Sequence, residues 1–158
     1  MLNDITPGKA LQLICLVAAA TIIGAWMFQF AGYDPCHLCL LQRWAYYAVI
    51  PLSLVLMFLP KTIAKPGFYL LALILVGSAV FGAYHAGVEW KFWEGPSTCS
   101  GEFSGGLPDL TKKVVACNEA ALRILGISLA GWNAIISAAL AVVAMLGIRN
   151  YGSSSVSQ

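Results

Sequence analysis

The sequence predicts an all-α membrane protein, a four-helix antiparallel transmembrane bundle with one long loop, and three observations carry that prediction. Of 158 residues, 59% are hydrophobic and only 10% are charged, whereas soluble domains carry about 25% charged residues. Four long runs contain little or no charge, and hydrocarbon demands about 20 such residues per span because lipid satisfies no unpaired backbone group. The connections are unequal, two short and one of 39 residues from Glu89 to Ile127. A mean hydropathy of +0.79 excludes a disordered chain. A net charge of +2 with no basic block excludes a nucleic-acid surface, so the partner of most of this chain is the lipid bilayer.

The first run, Ala10 to Ala31, is uncharged and continues through Trp26, Phe28 and Phe30. It exceeds the roughly 7–15 apolar residues of a signal-peptide core and reads as a retained span. The second extends over about 38–59, with Arg43 inside it, and the third over 67–88, with His85 as its one ionisable residue. The fourth covers about 128–148. The tail from Tyr151 to Gln158 is rich in serine and reads as unstructured. Gly24, Gly77, Gly82 and Gly131 offer small-residue contacts between helices.

Parity places the long loop and the short Gly32 to Pro35 turn on one side, and both termini on the other. Lys9, Lys61, Lys65 and Arg149 share the terminal side in short segments, where positive charge marks the cytoplasm. Trp26, Trp44, Trp90, Trp93 and Trp132 gather near the opposite interface as an aromatic belt. The expected orientation therefore has both termini in the cytoplasm and the long loop on the extracytoplasmic side. Within that loop Leu110, Val114, Cys117 and Ala121 recur at helical spacing, which reads as a short interfacial helix or as a solvated loop.

The five cysteines carry the chemical information. Cys15 lies mid-span, where a free thiol behaves as a small apolar residue. Cys36 and Cys39 form a C-x-x-C pair, and Cys99 and Cys117 lie in the long loop, all four on the side expected to be oxidising. Asp34-Pro35 reads as an N-cap followed by a first helical proline, which puts both C-x-x-C thiols in the first turns of the second span. There the helix dipole favours a thiolate. Three-residue spacing on a helix also suits reversible disulfide formation.

Arg43 stands one turn beyond Cys39, with Gln42 beside it. An intramembrane arginine is by default functional, here as a thiolate stabiliser or a donor to a lipid-soluble carbonyl compound, and the alternative is an arginine snorkelling to the interface. His85 stands equally as a generic buried histidine or as part of a ligand pocket. Cys99 and Cys117, if bridged, would staple a glycine-rich loop worth about 3 kcal/mol, or would exchange with the C-x-x-C pair.

Cys36-His37-Leu38-Cys39-Leu40-Leu41-Gln42-Arg43, Tyr84-His85-Ala86-Gly87-Val88-Glu89, Gly95-Pro96-Ser97-Thr98-Cys99 and Ser128-Leu129-Ala130-Gly131-Trp132-Asn133 together resemble the disulfide-bond formation protein B (DsbB) family. The resemblance spans roughly residues 10 to 148 and rests on the position of C-x-x-C, on Gln42-Arg43 and on the second cysteine pair. It implies a quinone-dependent reoxidase of a DsbA-like periplasmic oxidase of the thioredoxin fold, with ubiquinone or menaquinone as cofactor. By the same resemblance Cys99 would be attacked by the partner and Cys117 would resolve. Cys36 would exchange with that loop pair, and Cys39 would form the thiolate–quinone charge-transfer complex. Arg43 would stabilise the complex, with His85 and Gln42 near the quinone. The loop pair is 18 positions apart, closer than in the best-known member of the family, which bears on the order of exchange and on the exact partner.

Two rivals belong to other classes. One is a membrane metal-binding protein using Cys36, His37, Cys39 and His85, although no second C-x-x-C completes a structural zinc set. The other is a structural four-span protein with an ordinary stapled loop and inert cysteines. Vitamin K epoxide reductases also combine four helices, C-x-x-C and quinone, but carry the motif late in the chain, whereas here it opens the second span.

Overall fold

The computed structural model describes residues 5–96 and 116–153, and the side chains of 5–96 and 116–150. Four helices, α1 (Pro7–Phe30), α2 (His37–Phe58), α3 (Lys61–Glu89) and α4 (Leu129–Ser153), are each long and apolar enough to cross a membrane. The fold is therefore the expected all-α bundle. Before α4 comes a small antiparallel hairpin, β1 (Arg123–Ile124) and β2 (Ile127–Ser128), with Arg123 opposite Ser128 and Ile124 opposite Ile127. Leu125 and Gly126 form its two-residue turn, both with positive φ (53° and 81°), as a tight hairpin of that length requires.

Local chemistry sets the helix ends. Thr6 caps α1 by accepting the Lys9 backbone N–H, with Pro7 at the first helical position. Pro60, extended, separates α2 from α3, and α3 begins at Lys61, well before the apolar run starting at Gly67. It absorbs Pro66 because the carbonyl left without its N–H partner belongs to exposed Thr62, where water can serve it. Ser128 caps α4 by accepting the Gly131 N–H. At its far end α4 runs on through residues 151–153, so the helix takes in the first part of the expected unstructured tail.

The interior is a continuous apolar core built from Ile14, Ala18, Val49, Phe68, Leu71, Leu75 and Ala144, among others from all four helices. Only one stripe of each helix is buried in it, and large side chains such as Leu16, Phe58, Leu73 and Val142 point outward, as a surface solvated by lipid allows. Helices in lipid gain little hydrophobic drive towards one another, so close packing and polar bridges hold them together. Gly82 lets α3 approach α4 until a Cβ there would lie 2.9 Å from the Ala134 backbone nitrogen. Ser137 of α4 bridges the Tyr46 hydroxyl of α2 and the Ser78 hydroxyl of α3, each at 2.9 Å. Gly24 and Gly77 have open space where a side chain would stand, and Gly131 meets Ile127 and Ser128 just before its own helix, so of the four expected glycine contacts between helices only Gly82 serves one.

The expected interfacial helix is not helical over 116–122, which are turn and irregular backbone, and Leu110 and Val114 lie outside the described residues. Cys117 is disulfide-bonded and fully buried beside Cys36 and Leu38. That anchoring, together with the hairpin immediately after it, outweighs a weak periodicity.

Candidate functional site

The site forms where α2 begins, α3 ends and α4 begins, at the end of the bundle opposite the termini. Asp34 and Pro35 precede α2 without joining it. The N-cap is Cys36, two residues later than the sequence pattern predicts. Its own sulfur accepts the backbone N–H of Cys39 at 3.2 Å. A cysteine at this position points its sulfur at unpaired N–H groups and at the positive end of the helix dipole, so it is better placed to hold negative charge than one inside the first turn.

The Cys36 and Cys39 sulfurs are 2.7 Å apart, so a bond of about 2.05 Å needs only a small sulfur movement. His85 is 0% exposed, with Nε2 3.5 Å from the Cys36 sulfur. Its Nδ1 lies 2.8 Å from the Gln42 side-chain nitrogen. With that nitrogen donating to Nδ1, the neutral ring carries its proton on Nε2, facing Cys36. The Cys36 thiol is accordingly held well below the usual thiol range, by the Cys39 thiol first and by His85 next, against the opposing effect of burial.

Glu89, which the sequence assigns to the start of the loop, is the last residue of α3 and is buried, 8% exposed. Its Oε1 lies 3.9 Å from His85 Nε2, and it is hydrogen-bonded to the Ser128 side chain. Its spacing of four from His85 was the available signal, obscured because charge placed it outside the apolar run.

Arg43 reaches α1, donating to Gln29 Oε1 at 2.7 Å and more weakly to the Ala25 carbonyl at 3.5 Å. Arg43 also lines a cavity of about 400 Å³ bordered by α1, α2, α4, the turn before α2 and the hairpin. Its walls are mostly apolar, with Ile22, Phe28, Leu129 and Ile136, and its polar lining includes Asp34, Cys39, Gln42, Arg43 and Asn133. No α3 residue lines it. Asn133 Nδ2 is buried without a hydrogen-bond partner, against Gly82 of α3.

The structure thus brings Cys36, Cys39, Gln42 and His85 together with Cys117, which packs in one buried cluster with Cys36. Arg43 joins them through the cavity. His85 stands on the Cys36 side and is not a cavity wall, while Gln42 contributes to both. Cys99 lies outside the described residues. Cys15 is a free thiol on α1, and His37 is exposed. The ligand atoms of Cys36, Cys39 and His85 all lie within 4.8 Å of one another, a spacing that could also hold a metal ion.

Fold and site together define a multi-pass membrane protein with a partly buried dithiol between a disulfide-bonded cysteine and an apolar cavity. The chain belongs to the disulfide bond formation protein DsbB family, whose model matches residues 8–147, and is thereby a membrane oxidoreductase of disulfide bond formation. It is 28% identical over 153 residues to a disulfide bond formation protein B of Verminephrobacter eiseniae, covering 89% of this chain and 85% of that one. A protein of the same name from Albidiferax ferrireducens is 25% identical over 147 residues, covering 84% and 82%. An uncharacterized protein, RP370, of Rickettsia prowazekii is 25% identical over 139 residues, covering 82% and 78%. No solved structure matches the chain.

Proposed function

We propose that this protein reoxidises a periplasmic DsbA-like dithiol protein and passes the electrons to a membrane quinone, ubiquinone or menaquinone. The observation that carries the reading is the position of Cys39, which lines the cavity while its sulfur lies 2.7 Å from Cys36, itself packed beside disulfide-bonded Cys117. Sulfur atoms thereby run from the loop to the cavity wall.

The partner's thiolate bonds to the Cys99 sulfur, breaking the Cys99–Cys117 bond and releasing Cys117 as thiolate. The partner's second thiolate then closes the partner's own disulfide and frees Cys99. With the C-x-x-C pair starting as a disulfide, Cys117 attacks Cys36, the Cys36–Cys39 bond breaks and Cys39 leaves as thiolate. Cys99 then bonds to Cys117 again and releases Cys36. Two electrons have moved from the partner to the C-x-x-C pair, and each bond broken is matched by one formed. A quinone supplies the sink for two electrons and two protons. The cavity fits such a group through its apolar walls and the Arg43 side chain at its edge. Arg43 is held by Gln29, so it points its charge without reorganising.

The proposed orientation puts both termini in the cytoplasm and the site at the periplasmic face of a bacterial inner membrane. It rests on Lys9, Lys61, Lys65 and Arg149 sharing the terminal end.

The test is optical quinone reduction by the purified protein on addition of a reduced thioredoxin-fold dithiol protein, with Cys39→Ser and Cys99→Ser alongside. Wild type should reduce quinone only with the dithiol present, and both variants should fail. Electron transfer that survives Cys39→Ser would rule the relay out. A second reading, a zinc site on Cys36, Cys39 and His85, is favoured by their mutual spacing. Stoichiometric zinc in a protein that reduces no quinone would support it instead.

A further inference from the structure

Among the described residues, the relay gives no task to the buried carboxyl group of Glu89. Glu89 ends α3 with its side chain 5% exposed, Oε1 3.9 Å from His85 Nε2 and Oε2 without a hydrogen-bond partner. A carboxylate placed this way is costly unless a neighbouring positive charge compensates it. The groups facing it are His85 on its own helix, Cys36 and Cys39 from the start of α2, and Arg123 and Ser128 from the hairpin. Of these, Cys39 and His85 also touch the Cys36 sulfur, and His85 does so through the same nitrogen that faces Glu89. Nδ1 is already engaged by Gln42, so Nε2 is the nitrogen through which the ring meets both groups.

We propose that Glu89 is a positioning residue that holds His85 as an imidazolium beside the Cys36 thiolate. With the Gln42 amide turned over and the neutral ring's proton on Nδ1, Nε2 has a free lone pair, so the S–H bond of Cys36 breaks and an N–H bond forms at Nε2. The bonding electrons stay on sulfur, nothing is oxidised, and the carboxylate balances the charge the ring has gained. For the ring to carry both protons, the Gln42 amide turns over so that its oxygen accepts from Nδ1, a change of about 180° about one side-chain bond that leaves its contact in place. Ser128, donating its hydroxyl hydrogen to Glu89 and accepting the Gly131 N–H, fixes the carboxylate to the cap of α4. The arrangement is a nucleophile, a base and a third group that steadies the base. It serves both occasions on which Cys36 gains or loses a bond to sulfur.

The inference rests on Cys36 being an exchange thiol, and its test needs neither quinone nor partner protein. In the fully reduced chain, the rate of Cys36 alkylation by iodoacetamide is followed against pH by peptide mass spectrometry. In wild type, reactivity persists below neutrality and is lost only as pH falls through the lowered Cys36 value. Glu89→Gln should move that midpoint up by about one pH unit, slowing alkylation about tenfold on the acid side. Glu89→Asp, which keeps the charge, should restore most of the rate. In a His85→Ala background the Gln substitution should add nothing, because the carboxylate acts through the ring. An unmoved midpoint, or an equal shift without His85, overturns the proposal.

Nitrogen NMR of the wild-type imidazoles gives a measurement that requires no substitution, with only two histidines in the chain. The His85 ring should stay doubly protonated where Cys36 is already a thiolate, and a singly protonated ring there is the contrary result. A chain that shows this dependence yet reduces no quinone would refute the proposed relay and leave the Glu89–His85 pair standing.

Discussion

Arg43 shows how one side chain serves two neighbours. Its fork binds Gln29 and the Ala25 carbonyl of α1, and the residue still borders the cavity. Arg43→Ala should leave the protein's disulfides able to form while slowing quinone reduction by about tenfold to a hundredfold, the range expected when one charge-assisted hydrogen bond is lost. Unchanged quinone kinetics would remove Arg43 from the chemistry. Gln29→Ala, which frees the fork without removing its charge, should produce a smaller loss in the same assay. The arginine itself was legible in the sequence because a charge in a span is conspicuous. Gln29 was not, since a lone amide near the end of a span looks like an interfacial residue. Glu89 was hidden for a related reason, because apolar runs are ended at the first charge and this one belongs inside.

Among the elements, the join between α3 and α4 depends on two small side chains. Gly82→Ala would press a methyl group against the Ala134 backbone, which cannot give way as a flexible side chain can. Its thermal inactivation in detergent should come several degrees earlier than that of wild type. Gly77→Ala, with open space at the same test point, is the matched control and should be neutral. Ser137→Ala removes both of its bridges at once and strands the Tyr46 and Ser78 hydroxyls. A loss of about 1–3 kcal/mol is expected, twice the usual worth of one interhelical bond or a little more; no change in unfolding would mean that the hydroxyls find other partners. The four helices were readable because spans are set by composition and length. The hairpin was not, because Arg123 to Ser128 makes a two-residue strand pair whose stability comes from packing against the site and not from its own propensity. The start of α2 was misplaced by two residues for a similar reason: a thiol caps this helix in place of the nearby aspartate, guided by contacts with His85 and Cys39 that no local pattern encodes.

For the whole molecule, the hydrogen bond from the Asn150 side chain to the Ile5 carbonyl ties the two terminal segments at one end, while Trp90, Trp93 and the site occupy the other. A cytoplasm-active reporter fused at either terminus should be active. One inserted between Glu94 and Pro96 should be inactive there, whereas a periplasm-active reporter at that point should work. The reverse pattern would invert the proposed orientation. Sequence parity predicts this arrangement without knowing any contact, but it says nothing about the division of the interior. Cavity walls come from α1, α2, α4 and their connections, whereas the ionisable pair His85 and Glu89 belongs to α3. The dithiol stands between them, Cys39 facing one compartment and Cys36 the other. The redox pair is in effect a partition wall with differently furnished rooms on each side, and an inhibitor shaped for one room should leave the other open to inspection: a cavity-filling molecule would stop turnover while the acid–base signature of Cys36 could still be read.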